Sequence, residues 1–158
     1  MSKILKNQWT IYAHMPSELD WSISSYKKIM TITTVEDIIG LFKHLSKPII
    51  SSCMLFIMKN NIKPMWEDEQ NRNGGSFSYK INNRIVANIW KELSYLLVGE
   101  TLLNNNKDIV NGITISPKKN FCIVKVWLNT CKYIDPTIIN APKGLSSSGC
   151  IFKKHLTT

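Results

Sequence analysis

Residues 61–77 read NIKPMWEDEQNRNGGSF, and the run does not match its surroundings. An indole, Trp66, stands in a polar loop with Glu67, Asp68 and Glu69 directly behind it, in a chain of formal charge +9. Upstream, SSCMLFIMK over residues 51–59 is a short apolar run bounded by polar residues, the pattern of a buried strand. Downstream, Gly74 and Gly75 launch a second strand through SFSYKI. A tryptophan between two such strands, with no flanking apolar pattern of its own, is not marked as core.

Working outward, WTIYAHM (9–15) and WSISSYKKIM (21–30) read as strands joined by a loop containing Pro16. TTVEDIIGLFKHLSKP follows as a helix. Thr33 and Glu36 have capping-box spacing, Val35, Ile38, Ile39, Phe42 and Leu45 recur at helical intervals, and Pro48 is the expected stop. NNRIVANIWKELSYLLVGE is the longest helix. Asn82 or Asn83 is the expected cap, Ile85, Ile89, Leu93, Leu96 and Leu97 share one face, and Gly99 ends it. DIVNGITIS and NFCIVKVWLN are two strands joined at PKK, and TIIN is a candidate last strand before a Gly/Ser-rich, basic tail. This order predicts an α+β fold: a mostly antiparallel sheet with helices packed on one face.

Composition narrows the class. A chain of 158 residues with 44% hydrophobic content forms one domain with one core, here expected over 1–158 with loose ends at 1–6 and 141–158. No apolar run approaches the roughly 18 residues a membrane span needs, and no signal peptide opens the chain, so a monomeric, cytoplasmic protein is expected. Cys53, Cys122, Cys131 and Cys150 lack zinc-ligand spacing. Cys53 and Cys122 sit in apolar runs, as buried thiols do, and no metal or other cofactor is expected. Nucleotide-binding glycine motifs and a nucleophile elbow are both missing, so no catalytic residue and no enzyme activity are expected. The positive charge suits a polyanion, although lysines that merely solubilise the chain would give the same total.

The aromatic residues carry more. Trp9 and Trp90 lie inside predicted elements and belong to the core, whereas Trp21 follows the polar PSELD loop and Trp66 sits in one. Two loop indoles can close on a flat ligand from both sides, at about 1–3 kcal/mol per stacked base. A guanine presents N1–H and an N2 amine as a two-donor edge that the two oxygens of Glu67 match. Methylation at N7 makes the ring cationic, which strengthens both the stack and the carboxylate bond. The backbone N–H of Trp66 is placed to meet O6. Packing of Trp66 on its own loop, with Glu67 solvated, is the competing reading, and residue types leave both open. For phosphates, Lys118 and Lys119 stand at the SPKKN turn. Lys125 shares a strand face with Ile123 and Trp127, and Lys153 and Lys154 lie in the tail.

IKPMWEDEQNRNGGSF closely resembles the signature of the eukaryotic translation initiation factor 4E family. NQWTIY, Trp21, TVED, IWKELSYLLVGE and the VW at Val126 and Trp127 match in the same order, over about residues 5–130. The resemblance implies a cupped antiparallel sheet backed by helices, holding the 7-methylguanosine cap of messenger RNA in its concave slot. By position, Trp21 and Trp66 would sandwich the base, Glu67 would read its edge, Trp127 would contact the N7-methyl and Lys118 would meet phosphate. Ile123 stands where the family commonly has a second phosphate-binding lysine, so Lys125 or Lys119 is the expected substitute, with Lys153 beside them. The resemblance also implies a partner-peptide face on the convex side, which here includes Val35, Ile39, Lys91, Glu92 and Tyr95. Ile39 replaces the family's usual tryptophan and Lys91 an apolar residue. Weaker binding of the usual scaffold, or a partner with an altered anchor motif, is therefore expected. Two alternatives remain: a cap-binding repressor or decoy that recruits no scaffold, and a general single-strand RNA binder.

Overall fold

The computed structural model describes residues 3–156, so residues 1–2 and 157–158 of the expected loose ends lie outside it. Seven antiparallel strands form one curved sheet in the order β2-β1-β3-β5-β6-β4-β7. They are β1 (Ile4–His14), β2 (Lys27–Thr34), β3 (Met54–Lys59), β4 (Gly75–Asn82), β5 (Val110–Pro117), β6 (Phe121–Leu128) and β7 (Ile151–Lys154). Three helices, α1 (Val35–His44), α2 (Lys47–Ser52) and α3 (Val86–Val98), complete the α+β architecture expected from the sequence.

The two-residue period of the strands separates two faces. Trp9, Ile11 and Ala13 of β1, Leu55 and Ile57 of β3, Phe77, Tyr79 and Ile81 of β4, and Val124 and Val126 of β6 pack with α1 and α3 residues in the main core. The alternate residues Phe56 and Met58 join Ile62 and Trp127 in a small separate cluster on the other face. Helix α3 contributes Val86, Ile89, Trp90, Leu93, Leu97 and Val98 to the main core, and burying Trp90 and Ile89 alone removes about 3–6 kcal/mol worth of apolar surface from water.

Several local expectations are corrected. Trp21 is not in a strand: Ile23–Ser25 form a 3-10 turn, and β2 begins only at Lys27. The α1 capping box is one residue later than expected, with the Thr34 hydroxyl accepting from Asp37 N–H and Asp37 accepting from Thr34 N–H. Pro48 does not close a helix; it opens α2, because proline's fixed φ and missing N–H are tolerated in a first turn. That helix takes Ser51 and Ser52 out of the expected strand. At α3 neither asparagine caps the helix; Ile85 is the N-cap and is exposed, so the apolar face is shifted round to Val86 and Trp90. TIIN makes a 3-10 turn and a single bridge, Leu103 to Ile139, rather than a strand. Cys122 is buried, but Cys53 is only partly so, since it caps α2 instead of lying in β3.

Strand β7 has no counterpart among the predicted elements. It pairs with β4 in the register Ser76 to Lys153 and Ser78 to Ile151, and places Phe152 against Phe77 with ring centroids 5.1 Å apart. Gly75 makes room for this edge, and Gly74 for the end of β6 on the other side of β4. A Cβ at Gly74 would lie 1.8 Å from the Leu128 carbonyl oxygen, and one at Gly75 would lie 2.5 Å from the Phe152 ring.

A candidate functional site on the open face

The face without helices carries a cleft of about 460 Å³. Trp21 and Tyr26 line one side, Pro64, Met65, Trp66 and Glu67 the other. Phe56, Ser76, Ser78 and Trp127 form the floor, with Lys125, Lys153, Lys154 and His155 at the remaining wall. Both loop indoles are half exposed, at 51% for Trp21 and 46% for Trp66. Each therefore presents ring surface that the protein itself does not cover.

Each wall is built by polar bonds and not by a core. On the Trp21 side, the His14 ring stacks on the indole at 3.8 Å between centroids and 2° between planes. His14 Nε2 lies 2.8 Å from the Asp20 carbonyl, which can only accept, so that nitrogen carries the proton. Asp20 in turn accepts from Ser22 N–H at 2.8 Å and from the Ser22 hydroxyl at 2.7 Å, and these bonds hold its carboxyl below the usual range. Tyr26 meets His14, Trp21 and Phe56 edge-on, at 5.0, 6.2 and 5.3 Å, and ties the wall to the floor.

On the Trp66 side the loop folds around Asp68 and Asn71. Asp68 accepts from Lys63 N–H at 2.9 Å and from Gln70 N–H at 2.8 Å. The fully buried Asn71 amide donates to the Lys63 and Met65 carbonyls at 3.1 and 2.8 Å. Its oxygen accepts from Asn111 of β5 at 2.9 Å, which pins the loop to the sheet. Trp66 and Glu67 follow directly on the Met65 carbonyl that Asn71 holds.

The charges at the site are divided between an acidic and a basic side. Tyr26 is pushed up to about 12, first by burial and then by the Glu67 carboxylate, which lines the same cleft. Burial draws Lys125 below its ordinary value, and the positive charges of Lys118 and Lys153 add to the effect. Among the described residues neither Lys125, Lys118 nor Lys153 has a carboxylate within 4 Å.

Of the residues singled out from the sequence, Trp21, Trp66, Glu67, Trp127, Lys125 and Lys153 meet in this cleft. Lys118 lines an adjoining hollow instead, and Lys119 lines neither. Trp127 is a floor residue, 7% exposed, with its indole N–H donating to Thr114 at 3.4 Å. The contributors that were missed include His14 and Tyr26 on the Trp21 side, and Asn71, Asn111 and His155. His155 lies 4.9 Å from Trp127, ring to ring. Its Nδ1 donates to the Asn71 carbonyl at 2.6 Å, leaving Nε2 to accept from the Ser76 hydroxyl at 2.6 Å. Burial lowers its affinity for a proton, and the nearby Lys125 charge lowers it further against the opposing Asn71 bond.

On the helical face, Leu5, Val35, Ile38, Ile39, Tyr95, Val98 and Gly99 line an apolar hollow of about 210 Å³. It gathers Val35, Ile39 and Tyr95 from the expected partner face. Lys91 and Glu92 stay outside it, Glu92 accepting from Asn88 one turn away.

This combination of sheet, helices and two-walled slot defines a single α+β class, and the comparisons with known proteins agree. Residues 4–143 match the family model for eukaryotic initiation factor 4E, and the chain belongs to that family. It is 33% identical over 135 residues to eukaryotic translation initiation factor 4E-2 of Schizosaccharomyces pombe, covering 80% of this chain and 54% of that protein. It is 31% identical over 135 residues to the initiation factor 4E homolog of Acanthamoeba polyphaga mimivirus, covering 71% of this chain and 50% of that one. The chain thus spans about half the length of the curated relatives it matches. Among solved structures, a schistosome initiation factor 4E complexed with m7GpppA and 4E-BP superposes with a TM-score of 0.74 at 28% identity. That match covers 84% of this chain and 74% of the other. Among the described residues no helix is long and apolar enough to cross a membrane.

Proposed function

We propose that this protein binds the 7-methylguanosine cap of messenger RNA and acts in translation initiation as a binding protein without enzymatic activity. The observation that carries this reading is the convergence of Trp21, Trp66 and Glu67, from two separate loops, on one cleft whose far wall is basic. The base lies between the two indoles, Glu67 accepts from N1–H and the N2 amine, and the Trp66 N–H donates to O6. Trp127 meets the N7-methyl from the floor. Lys125 and Lys153, short of anionic partners, take the phosphates, with Lys118 at the exit. Selectivity for the methylated base follows from its positive charge, which adds a cation–π contribution of about 0.5–2 kcal/mol. The test is retention on 7-methylguanosine resin with elution by cap analogue. Elution by uncapped RNA or by GTP at the same concentration would instead favour a general single-strand binder.

A second reading rests on the hollow of the helical face, where Ile39 provides less surface and no N–H donor than an indole would. On this reading the protein occupies caps without recruiting the usual scaffold, as a repressor or decoy. Restoration of cap-dependent translation in an extract depleted of its own cap-binding factor would rule it out. Micromolar binding of a generic scaffold peptide would likewise count against the altered anchor.

A further inference from the structure

Of the two slot indoles, Trp21 has a titratable ring behind it. The His14 imidazole lies parallel to it, at 3.8 Å between centroids and 2° between planes, and covers one of its two faces. His14 is the last residue of β1, paired with Met54 of β3, and is 2% exposed. A flat ligand that stacks on Trp21 therefore uses the opposite face. The slot then becomes four layers deep: imidazole, indole, ligand, indole.

An apolar side chain would back the indole equally well, but histidine is the side chain whose ordinary charge change falls between about pH 5 and 8. Its anchor here serves both states. Nε2 donates to the Asp20 carbonyl at 2.8 Å, a bond that the neutral ring and the imidazolium make alike. The second proton enters at Nδ1 with the stack in place.

The charged and titratable groups around His14 come from several elements. In the β1–β2 connection, the Ser22 bonds and then the His14 charge hold the Asp20 carboxyl below its usual range, and Glu18 lines the same hollow as His14. Lys118 of the β5–β6 turn lines that hollow too. The Tyr26 phenol ring meets the imidazole edge-on at 5.0 Å, and Lys27 opens β2 opposite Ala13. Ser52 at the end of α2 and Met54 of β3 carry no charge. Glu67 lines the slot beyond Trp21.

We propose that His14 sets the slot's preference for a cationic base: neutral, it supports the stack on Trp21, and protonated, it opposes a positive ring on the other face. The inference rests on the cap-binding reading of the slot. An imidazolium draws on the same π electrons that 7-methylguanine uses, and two positive charges two stacking distances apart, about 7 Å, repel each other. Plain guanine carries no charge and escapes that repulsion. His14 does not touch the ligand; it is a positioning residue that acts through Trp21.

The test measures 7-methylguanosine diphosphate and guanosine diphosphate by tryptophan fluorescence at about pH 7 and about pH 5.5, on the full chain and on two variants. His14→Phe keeps a ring that takes no proton, and His14→Gln keeps the donor to Asp20 without ring or charge. Titration of the phosphates and of His155 acts on both ligands, so the ratio of the two affinities isolates the base. The proposal expects the ratio to fall about fivefold on acidification in the unmodified chain and by less than about twofold in either variant. A fall of the same size in the variants overturns the proposal, and so does a constant ratio in the unmodified chain; both leave the cap-binding reading standing. If His14→Phe does not fold, His14→Gln alone decides in the same way. A ratio near one at about pH 7 in the unmodified chain removes the cap-binding reading and the proposal together.

Discussion

The two faces of the sheet are made by the same strands and differ in how they are finished. On the helical face, Phe77, Tyr79, Val124 and Val126 join residues of α3 in one continuous core. On the open face, their immediate neighbours Ser76, Ser78, Lys125 and Trp127 line a cleft, and Phe56, Met58, Ile62 and Trp127 form a small buried cluster. Both faces carry indoles. Trp9 and Trp90 are fully buried on the first, while Trp21 and Trp66 are half exposed on the second. An indole in the core is held by apolar packing. One at the slot is held by hydrogen-bonded loops, which fix its position and leave its surface unused.

If that contrast is right, indoles on the two faces should fail differently when removed. Trp90→Ala should cost about 3–5 kcal/mol of stability, read by denaturant unfolding, because a large side chain leaves a cavity in a closed core. Trp66→Ala should change stability by less than about 0.5 kcal/mol yet weaken 7-methylguanosine diphosphate about 100-fold, since both the stack and its cation–π share are lost. Comparable destabilisation by both variants would break the comparison.

Asn71 tests the claim that polar bonds do for the slot what packing does for the core. Asn71→Ala strips partners from the Lys63 and Met65 carbonyls and from the Asn111 amide. It should cost about 2 kcal/mol in unfolding and also weaken cap-analogue binding, although Asn71 does not line the cleft. A loss of stability with wild-type affinity would mean that the loop needs no such anchor.

The smallest expected effect is on pH. Burial holds His155 below the ordinary histidine value of about 6.5, so the unfolded chain takes up a proton there that the folded chain resists. Its contribution is fully present above about pH 6.5 and should be lost as the pH falls below it. His155→Asn should flatten that decline in a series of unfolding curves at decreasing pH, and an unchanged slope would refute the assignment.

What could be foreseen follows the same division. The two-residue period in NFCIVKVWLN foretold both faces of β6: Cys122, Val124 and Val126 are buried on the closed face, while Ile123, Lys125 and Trp127 share the other. Trp21, Trp66 and Glu67 stood out because large aromatics lacked apolar neighbours, and the family signature fixed their roles as expectations. Strand β7 escaped because it is four residues long and at the sheet edge, with Ile151 64% exposed, so it has no hydrophobic period to detect. The Asn71, Asn111 and His155 network escaped for a related reason. Its bonds join residues 40 and 84 positions apart, and an isolated Asn or His looks the same in solvent as in a buried network. Pro48 was misread because the proline that ends one helix can equally begin the next.

The central claim is that the half-exposed indoles of the open face await a methylated, cationic guanine. Titration of the protein's tryptophan fluorescence with 7-methylguanosine diphosphate against guanosine diphosphate tests it most directly. The account predicts strong quenching and at least about tenfold tighter binding of the methylated ligand. An affinity ratio near one would contradict it.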